Sequence, residues 1–217
     1  MIKEKVRAIL DELPAGVHLV GAAKTRQADD ILEAVDAGLS IIGENYVQEA
    51  EKVYKKIGNR AKWHMIGHLQ TNKAKKAVQI FDMIETVDSV KLARAIHKEC
   101  MKIGKVMPIL IEVNSGEESQ KAGVLPKNVH ALIIDIAELE HVEIQGLMTM
   151  GPLSGDPEEA RPFFQKTKAL FDCVKKEGLP RGTMTYLSMG MSGSYRVAIE
   201  EGANLVRIGT KIFGERG

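Results

Sequence analysis

The chain has 217 residues, 44% of them hydrophobic, enough to bury a sizeable core in one domain. Its 30 basic residues stand against 29 acidic ones, and a net charge of +1 excludes the broad basic face that nucleic acid or an anionic membrane requires. No apolar run reaches the length of a membrane span, and Met1-Ile2-Lys3-Glu4-Lys5-Val6-Arg7 alternates charge and apolarity as a surface helix does, without the apolar core of a signal peptide. Cys100 and Cys173 lie far apart with no metal-type spacing, so both read as reduced, small buried hydrophobes in a cytoplasmic protein, and no metal site is expected.

Short apolar runs bounded by Gly, Asn or Asp recur along the chain. They cover residues 18–23, 40–43, 63–67, 83–87, 107–113, 143–148, 185–188 and 205–208. Most are rich in Ile, Val and Leu without clean alternation, the pattern of strands buried on both faces. Between them lie stretches with helical spacing. Residues 29–37 carry Ile31, Leu32 and Val35 with Gly38 as a C-cap, and residues 90–102 carry Leu92, Ala93, Ile96 and Met101 behind an Asp88-Ser89 N-cap. Residues 126–139 open on Pro126 at a first helical turn, residues 157–177 present Phe163, Phe164, Leu170, Phe171 and Val174, and residues 195–202 form a last short helix. Eight strands alternating with helices predict an α/β fold, a single-domain (β/α)₈ TIM barrel over residues 1–217. A doubly wound open sheet fits less well, because no Gly-x-Gly-x-x-Gly follows the first strand.

Active residues of such a barrel sit at the carboxyl ends of its strands. From Leu187 to Arg216, two strand ends run into Gly with Ser or Thr beside it: Leu187-Ser188-Met189-Gly190-Met191-Ser192-Gly193 and Val206-Arg207-Ile208-Gly209-Thr210. Such turns present free N–H groups and a hydroxyl to an anion. Singly these hydroxyls are ordinary turn residues; together they predict a phosphate grip. Lys24 follows the otherwise uncharged run His18-Leu19-Val20-Gly21-Ala22-Ala23, and at the barrel mouth desolvation favours its uncharged, nucleophilic amine. A lysine nucleophile with a phosphate grip suits either an aldolase-like sugar-phosphate enzyme or a pyridoxal phosphate (PLP) protein. Arg207 favours the second. An arginine on the last strand can donate to a pyridine nitrogen, and because it stays protonated it holds that nitrogen unprotonated and weakens the ring as an electron sink. The competing reading pairs Arg207 with Glu200 or Glu201.

Other polar residues admit plain roles. Asn45 can satisfy backbone groups at a strand end. His64 and His68 have i, i+4 spacing but fall across a strand and its loop, so packing outweighs metal binding. Lys73-Ala74-Lys75-Lys76 reads as a solvated helix face, Glu112 and Asn114 either line the mouth or pair within it, and the methionines at 148, 150, 189 and 191 are packing residues.

Seven stretches together carry a resemblance. They are Leu19-Val20-Gly21-Ala22-Ala23-Lys24-Thr25, Gly43-Glu44-Asn45-Tyr46-Val47-Gln48-Glu49, Trp63-His64-Met65-Ile66-Gly67-His68-Leu69-Gln70-Thr71-Asn72-Lys73, Val113-Asn114 through Lys121-Ala122-Gly123, Gly146-Leu147-Met148-Thr149-Met150, and the two closing turns. In order and over essentially the whole chain, they resemble the YggS/PROSC family of PLP homeostasis proteins. The resemblance implies a barrel of the alanine racemase N-terminal-domain type (fold type III) with PLP as a Schiff base on Lys24. It implies Arg207 at the pyridine nitrogen, Ser188, Ser192, Gly209 and Thr210 around the phosphate, Asn45 near the lysine and ring, and His64 on the inner barrel wall. It further implies a role in PLP supply and amino- and keto-acid balance without clear turnover, with PLP-dependent apoenzymes as recipients. The alternative is a low-rate PLP-dependent amino-acid racemase. That chemistry needs a second base, which alanine racemase takes from a tyrosine of a second domain. The chain stops at Gly217, so that domain and its dimer contacts are expected to be missing and the protein to be a monomer.

Overall fold

The computed structural model describes residues 1–152 and 156–215; Arg216, the last residue of the closing segment singled out above, and Gly217 lie outside them. Eight parallel strands close into a barrel in chain order: β1 (His18–Ala22), β2 (Ile41–Glu44), β3 (Lys62–Met65), β4 (Met83–Val87), β5 (Met107–Val113), β6 (Val142–Thr149), β7 (Gly182–Ser188) and β8 (Leu205–Ile208). β1 pairs with β8 from His18↔Leu205 to Gly21↔Ile208, which closes the ring. The predicted barrel is what the chain forms.

The helices are α1 (Ile2–Glu12), α2 (Ala28–Asp36), α3 (Val47–Ile57), α4 (Ala74–Ile80), α5 (Val90–Met101), α6 (Val129–Ala137), α7 (Arg161–Glu177), α8 (Tyr195–Glu200) and α9 (Thr210–Phe213). Ser89 caps α5 through the Leu92 N–H at 3.4 Å, as its sequence predicts. The stretches predicted as helices from Pro126 and Pro157 each begin as a tighter 3₁₀ turn before α6 and α7, where Pro is at home. α3 is not among the predicted helices. Its Val47, Ala50, Val53, Tyr54 and Ile57 nonetheless lie at helical spacing on the face packed against the core.

Strand burial on both faces produces two apolar layers. Inside the barrel, Val20, Ile41, Ile66, Met83, Leu110, Met148 and Leu205 pack together with Ala22 and Tyr186. A larger layer fills the space between strands and helices, with Trp63, Phe81, Phe164 and Ile31 among its fully buried members. Cys100 belongs there, and burial pushes its thiol up to about 11. Cys173 does not: it is exposed on α7, a correction to the sequence reading, because the buried stripe of that helix runs through Phe164, Thr167, Phe171 and Val174 and leaves position 173 outside.

Polar stitching holds β7 against β8 where ladder pairing is short. The Asn204 side chain accepts from Leu187 N–H at 2.8 Å and donates to the Thr185 carbonyl at 2.7 Å. β7 begins three residues earlier than its apolar run, as Ile144↔Gly182 pairing draws in a half-polar segment. The β6–β7 register shifts between Ile144 and Gly146. At Gly146 φ is +149°, and a side chain would run into the Tyr186 carbonyl of the neighbouring strand. Gly146→Ala is therefore expected to destabilise the barrel by about 3 kcal/mol, read as a lower midpoint in urea unfolding at unchanged slope.

Candidate functional site

Lys24 is placed by the turn that follows β1. Val20 and Ala22 face the barrel interior, and strand alternation turns Lys24 to the same side at the mouth. Thr25 then adopts φ +66°, uncommon for a β-branched residue, with its N–H donating to Glu49 Oε2 at 3.1 Å. Arg26 locks the turn to the end of the fold. Its Nη2 donates to the Gly214 and Glu215 carbonyls at 2.5 and 3.2 Å, and its guanidinium lies 5.9 Å from the Phe213 ring centroid. The result is a half-buried Lys24 whose amine has no hydrogen-bond partner among the described residues.

Below the mouth lies a buried polar network centred on Arg207, which is 3% exposed. Its Nη1 donates to Ser188 Oγ at 2.6 Å; its Nη2 donates to the Thr149 carbonyl at 2.9 Å and to Met150 Sδ at 3.4 Å. Ser188 donates in turn to Glu85 Oε2 at 2.5 Å, and Glu85 Oε1 accepts from His64 Nδ1 at 2.7 Å. Thr149 and Ser115 hydroxyls, 2.8 Å apart, continue the chain towards β5. Burial pushes Glu85 up, but the hydrogen bond and charge of His64, the charge of Arg207 and the Ser188 hydroxyl outweigh it and hold the carboxyl below its usual range. Burial also pulls Arg207 down, opposed by the charges of Glu85 and Glu112. A guanidinium keeps its proton even so. Its Nε–H, the remaining arm of the fork, has no acceptor among the described residues.

The two closing turns meet beside this network. Ser192 Oγ accepts from the N–H groups of Gly209 and Lys211 at 3.2 and 3.5 Å, and Ser194 Oγ accepts from Met191 N–H at 3.3 Å. The N–H groups of Gly193 and Thr210 have no acceptor among the described residues. Gly190, with φ +91°, lets the first turn pass over α8, where a Cβ would stand 2.9 Å from the Tyr195 backbone. A Cβ at Gly209 would stand 3.2 Å from the Ala22 carbonyl, so the second turn lies against β1 just before Lys24. Lys211 adds a cation here. Its Nζ donates to Tyr195 Oη at 3.3 Å and stands 4.6 Å from that ring's centroid.

The predicted site residues thus fall into two sets and two single positions. His64, Ser188 and Arg207 share the interior network; Ser192, Gly209 and Thr210 share the two closing turns. Lys24 stands at the mouth beside the second set. Asn45, half-buried at the end of β2, borders a cavity of about 320 Å³ with Tyr46, His68, Gln70 and Lys73. Ser188 lies fully buried between Glu85 and Arg207, apart from Ser192, because alternation along β7 turns it inward with Tyr186. The pairing of Arg207 with Glu200 or Glu201 does not form. Arg161 takes both carboxylates, each at 2.6 Å. Asn114 settles into a loop role, donating to the Glu118 carbonyl at 2.8 Å and accepting that residue's N–H. Glu85, Thr149 and Lys211 are absent from the sequence-derived set. Glu85 left a signal, as the one carboxylate inside the apolar 83–87 run.

Two further carboxylates are buried at the strand ends. Glu44 is pushed up to about 8 by burial and the nearby Glu49, opposed by the Asn45 N–H, and Glu112 up to about 7 by burial and Asp88, opposed by Arg207. The Oε2 atom of each is enclosed without a hydrogen-bond partner among the described residues.

The profile of the family described as "Alanine racemase, N-terminal domain" matches residues 1–217. A pyridoxal phosphate homeostasis protein of Aquifex aeolicus is 44% identical over 199 residues, covering 91% of this chain and 86% of that protein. One from Mus musculus is 39% identical, covering 94% and 79%. The solved structure of PipY from Synechococcus elongatus PCC7942 with PLP bound superposes with a TM-score of 0.90 at 33% identity, covering 99% of this chain and all of PipY. An alanine racemase of Clostridium difficile shares the fold, with a TM-score of 0.82 at 16% identity, and this chain covers 56% of it.

The buried carboxylates make stability depend on pH with a definite sign. Glu44, raised in the folded state, binds a proton that the unfolded chain releases earlier, so stability falls as pH rises from the ordinary carboxylate range to about 8. At roughly 1.4 kcal/mol per unit, Glu44→Gln is expected to recover on the order of 4 kcal/mol at pH 9 relative to pH 5, measured by urea unfolding at both values. A gain equal at the two pH values would show that the carboxyl is not held neutral.

Proposed function

The chain belongs to the alanine racemase N-terminal-domain family, and from that premise we propose that it is a PLP-binding protein that holds the cofactor covalently through the Lys24 amine and serves in its intracellular homeostasis. The observation that carries the reading is Arg207: a preoriented guanidinium in the barrel mouth with its Nε–H unspent, one strand from Lys24 and directly below the turns at Ser192 and Gly209. A pyridine nitrogen, an aldehyde carbon and a phosphate on one small molecule match a donor, an amine and an anion grip so disposed. Bound PLP supplies an electrophilic carbonyl and a conjugated ring able to stabilise a neighbouring carbanion, and an arginine at the nitrogen weakens that second property.

Each residue then has a task. Lys24 offers the amine, and Arg26 and Glu49 fix the turn that aims it. Arg207 orients the ring, while Glu85, Ser188 and His64 orient Arg207. Ser192 Oγ and the N–H groups of Gly193 and Thr210 take the phosphate, with Lys211 beside them for charge. Asn45 flanks the ring from β2. The tyrosines support a carrier over a racemase. Tyr195 donates to Glu12 and Tyr54 to Asn59, Tyr186 packs its edge on His18 deep in the barrel, and Tyr46 is exposed on the outer rim. Among the described contacts, Tyr195 alone of the four reaches the proposed grip, through the Lys211 amine on its hydroxyl, and that hydroxyl is already spent on Glu12. Among the described residues no helix is long and apolar enough to cross a membrane. We read the protein as a cytoplasmic, single-domain monomer that passes PLP to PLP-dependent apoenzymes.

Borohydride reduction of the yellow protein, followed by peptide mass spectrometry, is expected to place the cofactor on Lys24 alone. Lys24→Ala should abolish that label while keeping weaker, reversible binding, and Ser192→Ala in that background should lower the remaining affinity by roughly 10–100-fold, the worth of one hydrogen bond to a charged group. Arg207→Lys should alter the visible spectrum of the bound cofactor. A colourless protein that added PLP does not colour, or measurable amino-acid racemisation by chiral chromatography, would overturn the carrier reading.

A further inference from the structure

We propose a zinc-type metal site on the outer surface of the barrel, built by His130 of α6 with Cys173 and Glu177 of α7. Their ligand atoms, imidazole nitrogen, thiol sulfur and carboxylate oxygen, all lie within 4.8 Å of one another. Cys173 and Glu177 stand one turn apart on the same face of α7, and His130, in the first turn of α6, faces them. Cys173 Sγ is 3.1 Å from Glu177 Oε1, and His130 Nε2 is 3.0 Å from Glu177 Oε2.

The histidine is the telling member. Its Nε2 is sealed from solvent, and despite the short approach to Glu177 it forms no aligned hydrogen bond. A lone pair facing a carboxylate oxygen at that distance is repelled unless a positive charge lies between them. An off-axis proton relieves the repulsion poorly; an ion bound by both atoms relieves it fully, and two ligands of one tetrahedral ion stand about this far apart. The exposed thiol supplies the third arm. Cys100, buried in the core, is not available to any such site.

The donor set selects the ion. Thiolate, imidazole and carboxylate together suit zinc and its borderline neighbours, while magnesium and calcium take oxygen-only sets. Three protein ligands leave a fourth position for water. The site sits on the last turn of a 17-residue helix, whose C-terminal carbonyls favour a cation. A thiol binds such an ion only as its thiolate. Binding therefore exchanges a proton for the ion. The S–H bond breaks, the proton goes to solvent, the metal–sulfur bond forms, and no electron moves. The bound ion would pin α6 to α7 outside the cofactor barrel.

Alkylation of Cys173 by iodoacetamide in the full-length, PLP-loaded protein reads this site without touching the cofactor. One equivalent of zinc is expected to slow alkylation strongly, and EDTA to restore it. His130→Ala and Glu177→Gln should each weaken the protecting affinity by at least the roughly 10–100-fold that loss of even a supporting group costs a metal site. With cobalt, the wild-type protein minus Cys173→Ser, at equal PLP content, should show a thiolate-to-metal absorption band. If zinc leaves the alkylation rate unchanged, or protects both variants as well as the wild type, the ion binds adventitiously at a surface thiol and the site is refuted.

Discussion

A guanidinium inside a closed barrel is the constraint on which the rest of this structure turns. Removing such an ion from water costs several kcal/mol even after relaxation, and the attraction of one buried counter-ion repays it only when the remaining donors are also matched. Arg207 meets that demand through three strands. β4 brings Glu85, β7 brings Ser188 between the two charges, and β6 brings the Thr149 carbonyl. Glu85 is itself fully enclosed and depends on the same partners plus His64 on β3. Neither ion is tolerable without the other, and removing one partner from such a pair typically costs about 3–5 kcal/mol. The fold must therefore place five side-chain and backbone groups from five strands together before the barrel interior is habitable.

That expense has a functional counterpart. An arginine held on two of its three faces cannot swing to follow a ligand, so whatever binds at the mouth meets a donor whose direction is set beforehand. Barrel closure does the same for the remaining groups. Because β1 lies beside β8, Lys24 and the Gly209 turn come from opposite ends of the chain yet share an edge, and Arg26 fastens the two by its bonds to Gly214 and Glu215. The Lys24 turn is thus fastened to the segment that follows the Gly209 turn. Thr25 bears the cost in its left-handed backbone, which Glu49 offsets.

The barrel was legible in the sequence because parallel strands buried on both faces leave unbroken apolar runs, and each such run does form a strand. What escaped was half-polar or sparse. The first residues of β7 include Gly182 and Thr183, which pair for geometric reasons that composition does not show, and the apolar stripe of α3 is interleaved with charged and polar residues. The positions at the strand ends were legible: Lys24, Arg207 and the Ser192–Gly209 pair of turns all fall at one end of the barrel around adjacent β1 and β8. At Ser188 the glycine turn suggested phosphate, while strand alternation directs the side chain inward to Glu85 and Arg207. Cys173 escaped for the analogous reason on a helix, one position off the stripe that carries Phe171 and Val174. In each case the periodicity of the element, applied residue by residue, held the answer that composition obscured.

The shared fold with an alanine racemase at 16% identity says little about chemistry, since one barrel hosts many reactions. What distinguishes a carrier must lie in how its contacts divide between holding and converting. Conversion needs acids and bases ranged on both faces of a substrate carbon; here several of the polar groups at the strand ends hold one another or a turn. Glu85 neutralises Arg207, His64 in turn holds Glu85, and Glu49 caps the Lys24 turn. On the proposed reading, a covalent bond to a half-buried amine at the rim would be reversible by water, so retention of a cofactor would rest on a noncovalent grip at Arg207 and the two turns. Release is then set by groups that do not touch the amine at all. A protein so arranged can let its cargo go without altering the residue that captured it, which is the property that a reservoir requires and a catalyst does not.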